Sequence, residues 1–335
     1  MPVLSAANPT LLDLAKRLDP DNKIADIVEL LNETNEMLFD MSWIEGNLLT
    51  GHRTTVRTGI PEPTWRKMYG GVQPTKSTTA QITDNTGMLE AYAEVDKAMA
   101  DLNGNTAEWR LSEDRPHLEG MNQTIQRTLL YGNEGTQPEA FTGLSPRFNS
   151  TTAANGENII PAVTGGGATD NQSIWLVVWG PNTVHGIVPK GSIAGLQQED
   201  KGQVTIENAD GNGGRMEAYR THYRWDAGLT VRDWRYIVRI ANISKAALKA
   251  DPEDGGPNLP DLMFEAIERI PNLTAGRAAF YMSRGVRTKV RQQSAKSVKN
   301  STLTIDQIGG VPVMSFHGIP LRRVDALAAD EALVS

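Results

Sequence analysis

The chain contains no cysteine, which rules out disulfides, thiolate nucleophiles and cysteine-ligated zinc. It has no apolar run near the ~20 residues that span a bilayer, and no basic-then-apolar segment opens it. Cytoplasmic synthesis and no membrane partner are the expectation. The histidines His52, His117, His185, His222 and His317 are scattered, without the spacing that puts two on one helical face to grip a metal. No G-x-S-x-G elbow marks a nucleophile. Gly165-Gly166-Gly167 is not followed by the Lys-Ser/Thr of a phosphate cradle. No internal repeat is evident. With a hydrophobic fraction of 39% and a charged fraction of 22%, the 335 residues have the composition of a globular protein able to bury a core.

Charge is unevenly spread. Residues 1–150 carry −8, residues 151–214 carry −4 and residues 215–335 carry +5, for a total of −7. An acidic N-terminal half and a basic C-terminal half can complement each other within or between subunits, or can simply be solvated. A net-acidic chain is a poor general nucleic-acid binder.

The organising stretch is Asp114–Gly132. Asp114 is placed to cap a helix and Pro116 sits where a missing N–H costs nothing. Leu118, Met121, Ile125 and Leu129 share one face, and Gly132 fits a left-handed C-cap. The rod would be roughly 25 Å long. Before it come two short amphipathic helical patterns. Leu11, Leu14 and Leu18 mark the first, and Ile24, Ile27, Leu31 and Leu38 the second. Helices this short must dock on something.

Residues 50–85 are unusual. Arg53–Thr58 and Ser77–Thr83 have strand composition, yet both faces are polar. A connector rich in Pro and Gly separates them and holds Trp65, Met68 and Tyr69. A two-stranded ribbon without a buried face is barely stable alone, so it must lie along its own domain or a neighbour. Met88–Leu102 reads as part strand and part helix, and 133–171 as loop. Ile174–Trp179 is a strand buried on both faces, with Val184–Val188 returning after a turn. Arg215–Ile243 gives the strongest strand signal. Tyr219, Thr221, Tyr223 and Trp225 fall on one face, and Arg220, His222, Arg224 and Asp226 on the other, a pattern of cross-strand ion pairs. An acidic linker over 251–260 precedes a helix at 261–270, a strand at 278–282 and a basic helix at 283–299. Two short strands follow, at 310–314 and 318–321.

Candidate chemistry is sparse. Glu113/Asp114 and Asp251/Glu253/Asp254 lie at an expected helix start and in a linker, where capping and solubility account for them. The basic helix has no interleaved aromatics to stack on bases. No catalytic, cofactor-binding or metal residue is assigned.

Several strings carry a resemblance. They are Leu18–Leu30 (LDPDNKIADIVEL), Thr50–Gly59 (TGHRTTVRTG), Met88–Lys97 (MLEAYAEVDK), Trp179–Gly186 (WGPNTVHG) and Gly228–Tyr236 (GLTVRDWRY). Together they span most of the chain, and they resemble the major capsid proteins of tailed bacteriophages with the Hong Kong 97-like fold, most strongly those of short-tailed phages of the epsilon-fifteen type. The resemblance implies an α+β fold with an N-terminal arm (1–45), an extended β-hairpin E-loop (46–90) and a P-domain built on the spine helix (91–132). Loop and long strands shared between P- and A-domain (133–244) and a mixed α/β A-domain (245–335) would follow. It implies no enzyme activity. The partners would be further copies of the chain in hexamers and pentamers of an icosahedral lattice, a portal protein, a scaffolding protein and a decoration or cement protein. Packaged double-stranded DNA would touch the shell loosely, and assembly would take place in the bacterial cytoplasm to give the virion. The expected contact residues are Leu11, Leu14 and Leu18 on the arm, Arg53 and Arg57 on the ribbon, and Trp65, Met68 and Tyr69 at the tip. The rival readings are a tail, baseplate or decoration protein and a carboxylate-dependent hydrolase.

Overall fold

The computed structural model describes residues 33, 35–102, 106–162, 169–207, 213–250, 252–296, 303–308 and 311–335. Leu11, Leu14 and Leu18, the rest of the arm before residue 33, and the glycine run at 165–167 lie outside them. Among the described residues thirteen strands occur in the order β1 Trp43–Glu45, β2 Gly51–Gly59, β3 Thr78–Asp96, β4 Ile159–Pro161, β5 Asn171–Trp179, β6 Val184–Val188, β7 Leu196–Glu207, β8 Arg215–Val231, β9 Ile237–Ser244, β10 Arg277–Met282, β11 Leu303–Ile308, β12 Val311–Phe316 and β13 Ile319–Arg323. They join in one sheet network whose path runs β11-β12-β13-β10-β5-β6-β8-β3-β2, with β1 on β6, β7 on β8 and β9 between β4 and β5.

β5 is the centre of this network, and its period-two alternation feeds two cores. Trp175, Val177 and Trp179 face the C-terminal half of the spine helix through Ile125, Leu129 and Leu130. Ile174, Leu176 and Val178 face the helices Leu259–Glu268 and Arg284–Lys296 through Met263, Ala266, Val286 and Val290. Both faces are buried, as the unbroken apolar run requires.

The spine helix runs Thr106–Tyr131 and so begins well before the expected start. Pro116 lies inside it, where it removes a backbone hydrogen bond at a cost of ~3 kcal/mol. Trp109 offsets that cost, because it is buried against Val95, Met99 and Ala100 and draws the first turns onto β3. Asp114 is therefore an interior helix residue and not a cap. Gly132 is not left-handed either, since its φ is absent from the positive range that Gly191 or Gly318 occupies. A Cβ there would meet the Phe141 carbonyl oxygen at 2.4 Å, so close approach demands the glycine.

Two further expectations change, and two strands are added. Part of the supposed loop 150–171 is strand, with Ile159 and Ile160 buried. β6 does not return along β5; the two touch only at Trp179/Val184, and β6 pairs with β1 and β8. The added strands are β7 and β11, paired with β8 and β12. The faces assigned to 215–226 hold: Tyr223 is buried with Met121 of the spine helix, while Arg220 reaches across to Glu94 at 2.6 Å.

The C-terminal segment is threaded into this body. Arg239 donates to Glu331 Oε2 at 2.8 Å and to Ser173 Oγ at 3.1 Å, and its guanidinium lies 5.0 Å from the centre of the Trp175 ring. Tyr131, the last residue of the spine helix, donates to Glu331 Oε1 at 2.6 Å. Asn242, at φ +61°, uses both ends of its amide on the backbone N–H and carbonyl of Val334, each at 2.9 Å. Sheet, spine helix and tail thus meet at one buried ion pair. Glu331→Gln is expected to cost about 3–5 kcal/mol, the range for stranding one member of a buried pair, and Arg239→Met/Glu331→Leu to recover most of it. Urea unfolding of the unassembled subunit measures both, and a single substitution costing under about 1 kcal/mol would contradict the assignment.

Candidate assembly surface

β2 and β3 pair antiparallel from Gly51↔Asn85 to Gly59↔Thr78, and β3 continues unbroken from this ribbon into the body, where it pairs with β8. Strands form here because Thr and Val suit extended backbone, and no apolar stripe pulls either face inward. Arg53 and Arg57 lie on one face of β2 and are exposed. Arg53 Nε donates to Thr83 Oγ1 at 3.2 Å across the ribbon. Residues 60–77 form the tip, where Trp65, Met68 and Tyr69 are 103%, 92% and 102% exposed. Tyr69 takes φ +61° in a turn that Arg66 closes by donating Nε to the Gly70 carbonyl at 2.9 Å. Five of the expected contact residues therefore share one projecting element.

That element is also basic. Residues 51–77 hold Arg53, Arg57, Arg66, Lys67 and Lys76 against Glu62, a local net of +4 inside the acidic half. The sequence carries this signal, but the charge sum over 1–150 hides it. β7, on the outer edge of β8, also has largely exposed side chains, and Ile193 beside it is 71% exposed. On the basic helix, Val286 and Val290 face inward as expected, and Arg284 is spent on Asp325 at 2.7 Å.

The hairpin is pinned at its root. Asp84, 4% exposed, binds Arg147 at 2.8 Å. Asn47 clips the free edge of β2, accepting from the Arg53 N–H and donating to its carbonyl, both at 2.8 Å. Beside them His52 and His185, far apart in sequence, meet edge-to-face with ring centroids 5.8 Å apart. His52 Nδ1 accepts from the Asn47 N–H. Burial, then the neighbouring His52 and Arg232, push the pKa of the buried His185 down to about 4. Burial and then Arg232 lower that of His52, with Asp84 opposing.

The folded value of His185 lies below its unfolded value, so the unfolded chain takes up the proton first as pH falls. This contact contributes fully above about pH 6.5, and its contribution is lost as pH falls towards 4, on the order of 3 kcal/mol. Urea unfolding at about pH 7 and about pH 4.5 should show the loss in the parent and a smaller one in His185→Gln. Equal acid losses in both would contradict it.

Comparison with known proteins gives these features a frame. The family model described as major capsid protein GP7 matches residues 19–335. The solved structure of bacteriophage Epsilon15 is similar at 37% identity, with 100% of each chain covered and a TM-score of 0.78. The bacteriophage JBD30 capsid is more distant, at 9% identity over 89% of this chain and 93% of that one, with a TM-score of 0.48. The capsid of a native GTA particle stands at 10% identity over 70% and 99%, with a TM-score of 0.45. No curated protein matches. With nearly its whole length matched by the family model and a full-length relative above one-third identity, the chain belongs to the GP7 family of phage major capsid proteins.

Proposed function

We propose that the subunit polymerises into hexamers and pentamers that close an icosahedral head shell around double-stranded DNA, and that the β2–β3 hairpin is the element reaching the next copy. The observation that supports this most is the contrast within the hairpin. Its root is pinned by a buried ion pair, its strands bury almost nothing, and its tip offers Trp65, Met68 and Tyr69 to solvent. Burying an aromatic tip residue removes 150–250 Å² from water, a gross gain of roughly 4–6 kcal/mol. Association entropy subtracts from that gain, so each contact is modest and the lattice sums many of them. Contacts between unlike patches let rings and sheets grow.

In this reading residues 1–45 are the arm, with Leu11, Leu14 and Leu18 as its contacts. Residues 46–90 are the E-loop, 91–132 the spine-helix P-domain, 133–244 the shared loop and strands, and 245–335 the A-domain. A portal protein, a scaffolding protein and a decoration protein are the further partners, and DNA contact is loose. Assembly in the host cytoplasm fits a chain without cysteine, and among the described residues no helix is long and apolar enough to cross a membrane. The work of the subunit is structural and not catalytic. The buried carboxylates Asp40, Asp84, Asp226 and Glu331 are each bound by an arginine, which leaves them ill-suited to acid–base chemistry.

Replacing Trp65, Met68 and Tyr69 together by Ser should abolish particles in electron micrographs while leaving the unfolding midpoint of the subunit unchanged. Raising salt to about 1 M, where the screening length is ~3 Å, should lower parent particle yield, because the hairpin is strongly basic. Full particle yield from the triple variant would contradict the role of the tip, and yield independent of salt that of its charge.

A further inference from the structure

The body contains a cavity of about 220 Å³ between β3, the spine helix and the loop after it. Met88, Leu89, Ile125, Ala140 and Phe141 make it apolar, Thr124 and Thr128 supply methyls, and Glu139 is its one charged lining residue. Met88 itself is 58% exposed at the edge of the cavity.

Resting on the assembly reading above, we infer that this cavity receives Met68 and Trp65 from the hairpin tip of a second copy of the chain. Two features match. The tip is apolar with Arg66 and Lys67 between its large side chains, and the cavity is apolar with the Glu139 carboxylate in its lining. Anchors of this kind, a large side chain in a pocket with paired charges around it, concentrate binding energy.

The donor must be another molecule. Thr78 and Met88 are on the same unbroken strand, which separates tip base from cavity by roughly 30 Å at ~3.3 Å per residue. Trp65 and Met68 are fully exposed, so they do not fold back into their own cavity. The N-terminal segment is the rival occupant, and two of its described residues, Glu33 and Met37, bond to spine-helix side chains that do not line the cavity. Glu33 N–H donates to Glu119 Oε1, and Gln126 Nε2 donates to Met37 Sδ. Gln126 lies roughly 200° around the helix from Thr124, which lines the cavity.

The absence of cysteine makes a direct test available. Met68→Cys and Ala140→Cys are introduced singly and together, particles are assembled and mildly oxidised, and chains are separated without reductant. The double variant should give a ladder of linked chains and each single variant single chains only. Separately, Lys67→Glu and Glu139→Lys should each reduce particle yield about tenfold at limiting subunit concentration, and their combination should restore it. These two residues are exposed, so the swap leaves folding intact. Particles from the double-cysteine variant without linked chains would overturn the inference, as would a ladder from Met68→Cys alone, links from Met68→Cys to Glu119→Cys instead, or a charge swap that fails to rescue. Each of those outcomes leaves the assembly reading standing. A parent subunit that forms no particles under any assembly condition would overturn that reading, and this inference with it.

Discussion

Four carboxylates among the described residues are taken out of water, and each is gripped by an arginine. Arg322 holds Asp40 through two bonds of 3.0 and 2.9 Å, and Arg147 holds Asp84 at 2.8 Å. Arg224 holds Asp226 through bonds of 3.0 and 2.9 Å, and Arg239 holds Glu331 at 2.8 Å. A charge cannot stay buried without such a partner, and three of the pairs join separate elements, while Arg224 and Asp226 both lie on β8. Their positions are what matters. Asp40 lies where the N-terminal segment joins the sheet, also bonded by Tyr281, and Asp84 lies at the root of the β2–β3 hairpin. Asp226 accepts from Ser192 just before β7, and Glu331 holds the C-terminal tail. The N-terminal segment, the β2–β3 hairpin and the C-terminal tail each meet the body at a buried carboxylate held by an arginine.

That arrangement separates two jobs. The body around β5 is filled on both faces and does not need a neighbour. Beyond its pinned root, the hairpin gains little from its own fold apart from ladder and cross-strand hydrogen bonds, and its apolar tip stays wet until something covers it. A subunit that buried its tip internally would be more stable alone and worse at building a lattice. Weak extremities on rigid roots suit growth by many reversible contacts, in which a misplaced subunit can leave.

Parts of this were legible in the sequence. The hairpin showed itself by the absence of an apolar face over Arg53–Thr58, and β5 by its unbroken apolar run. The alternation of Tyr219–Asp226 separated Tyr223, which packs on the spine helix, from Arg220, which reaches Glu94, but it did not show that Asp226 on the charged face is buried. Other parts depend on partners that local pattern does not name. The first turns of the spine helix exist because Trp109 finds Val95 and Met99, which overrides a mid-helix proline. β7 is mostly polar and is a strand because β8 offers an edge. His52 and His185 meet only once β2 and β6 are folded. The contact residues on the arm, Leu11, Leu14 and Leu18, lie outside the described residues, so the candidate site rests on the hairpin.

The central claim is that the hairpin is the part of the chain left unburied by folding and buried by assembly. Amide hydrogen exchange on the free subunit and on closed particles tests it most directly, since exchange reports local opening segment by segment. The account predicts fast exchange over residues 53–83 in the free subunit, strong protection there in particles, and slow exchange in β5 and β9 in both states. Equal protection of the hairpin before and after assembly would contradict it.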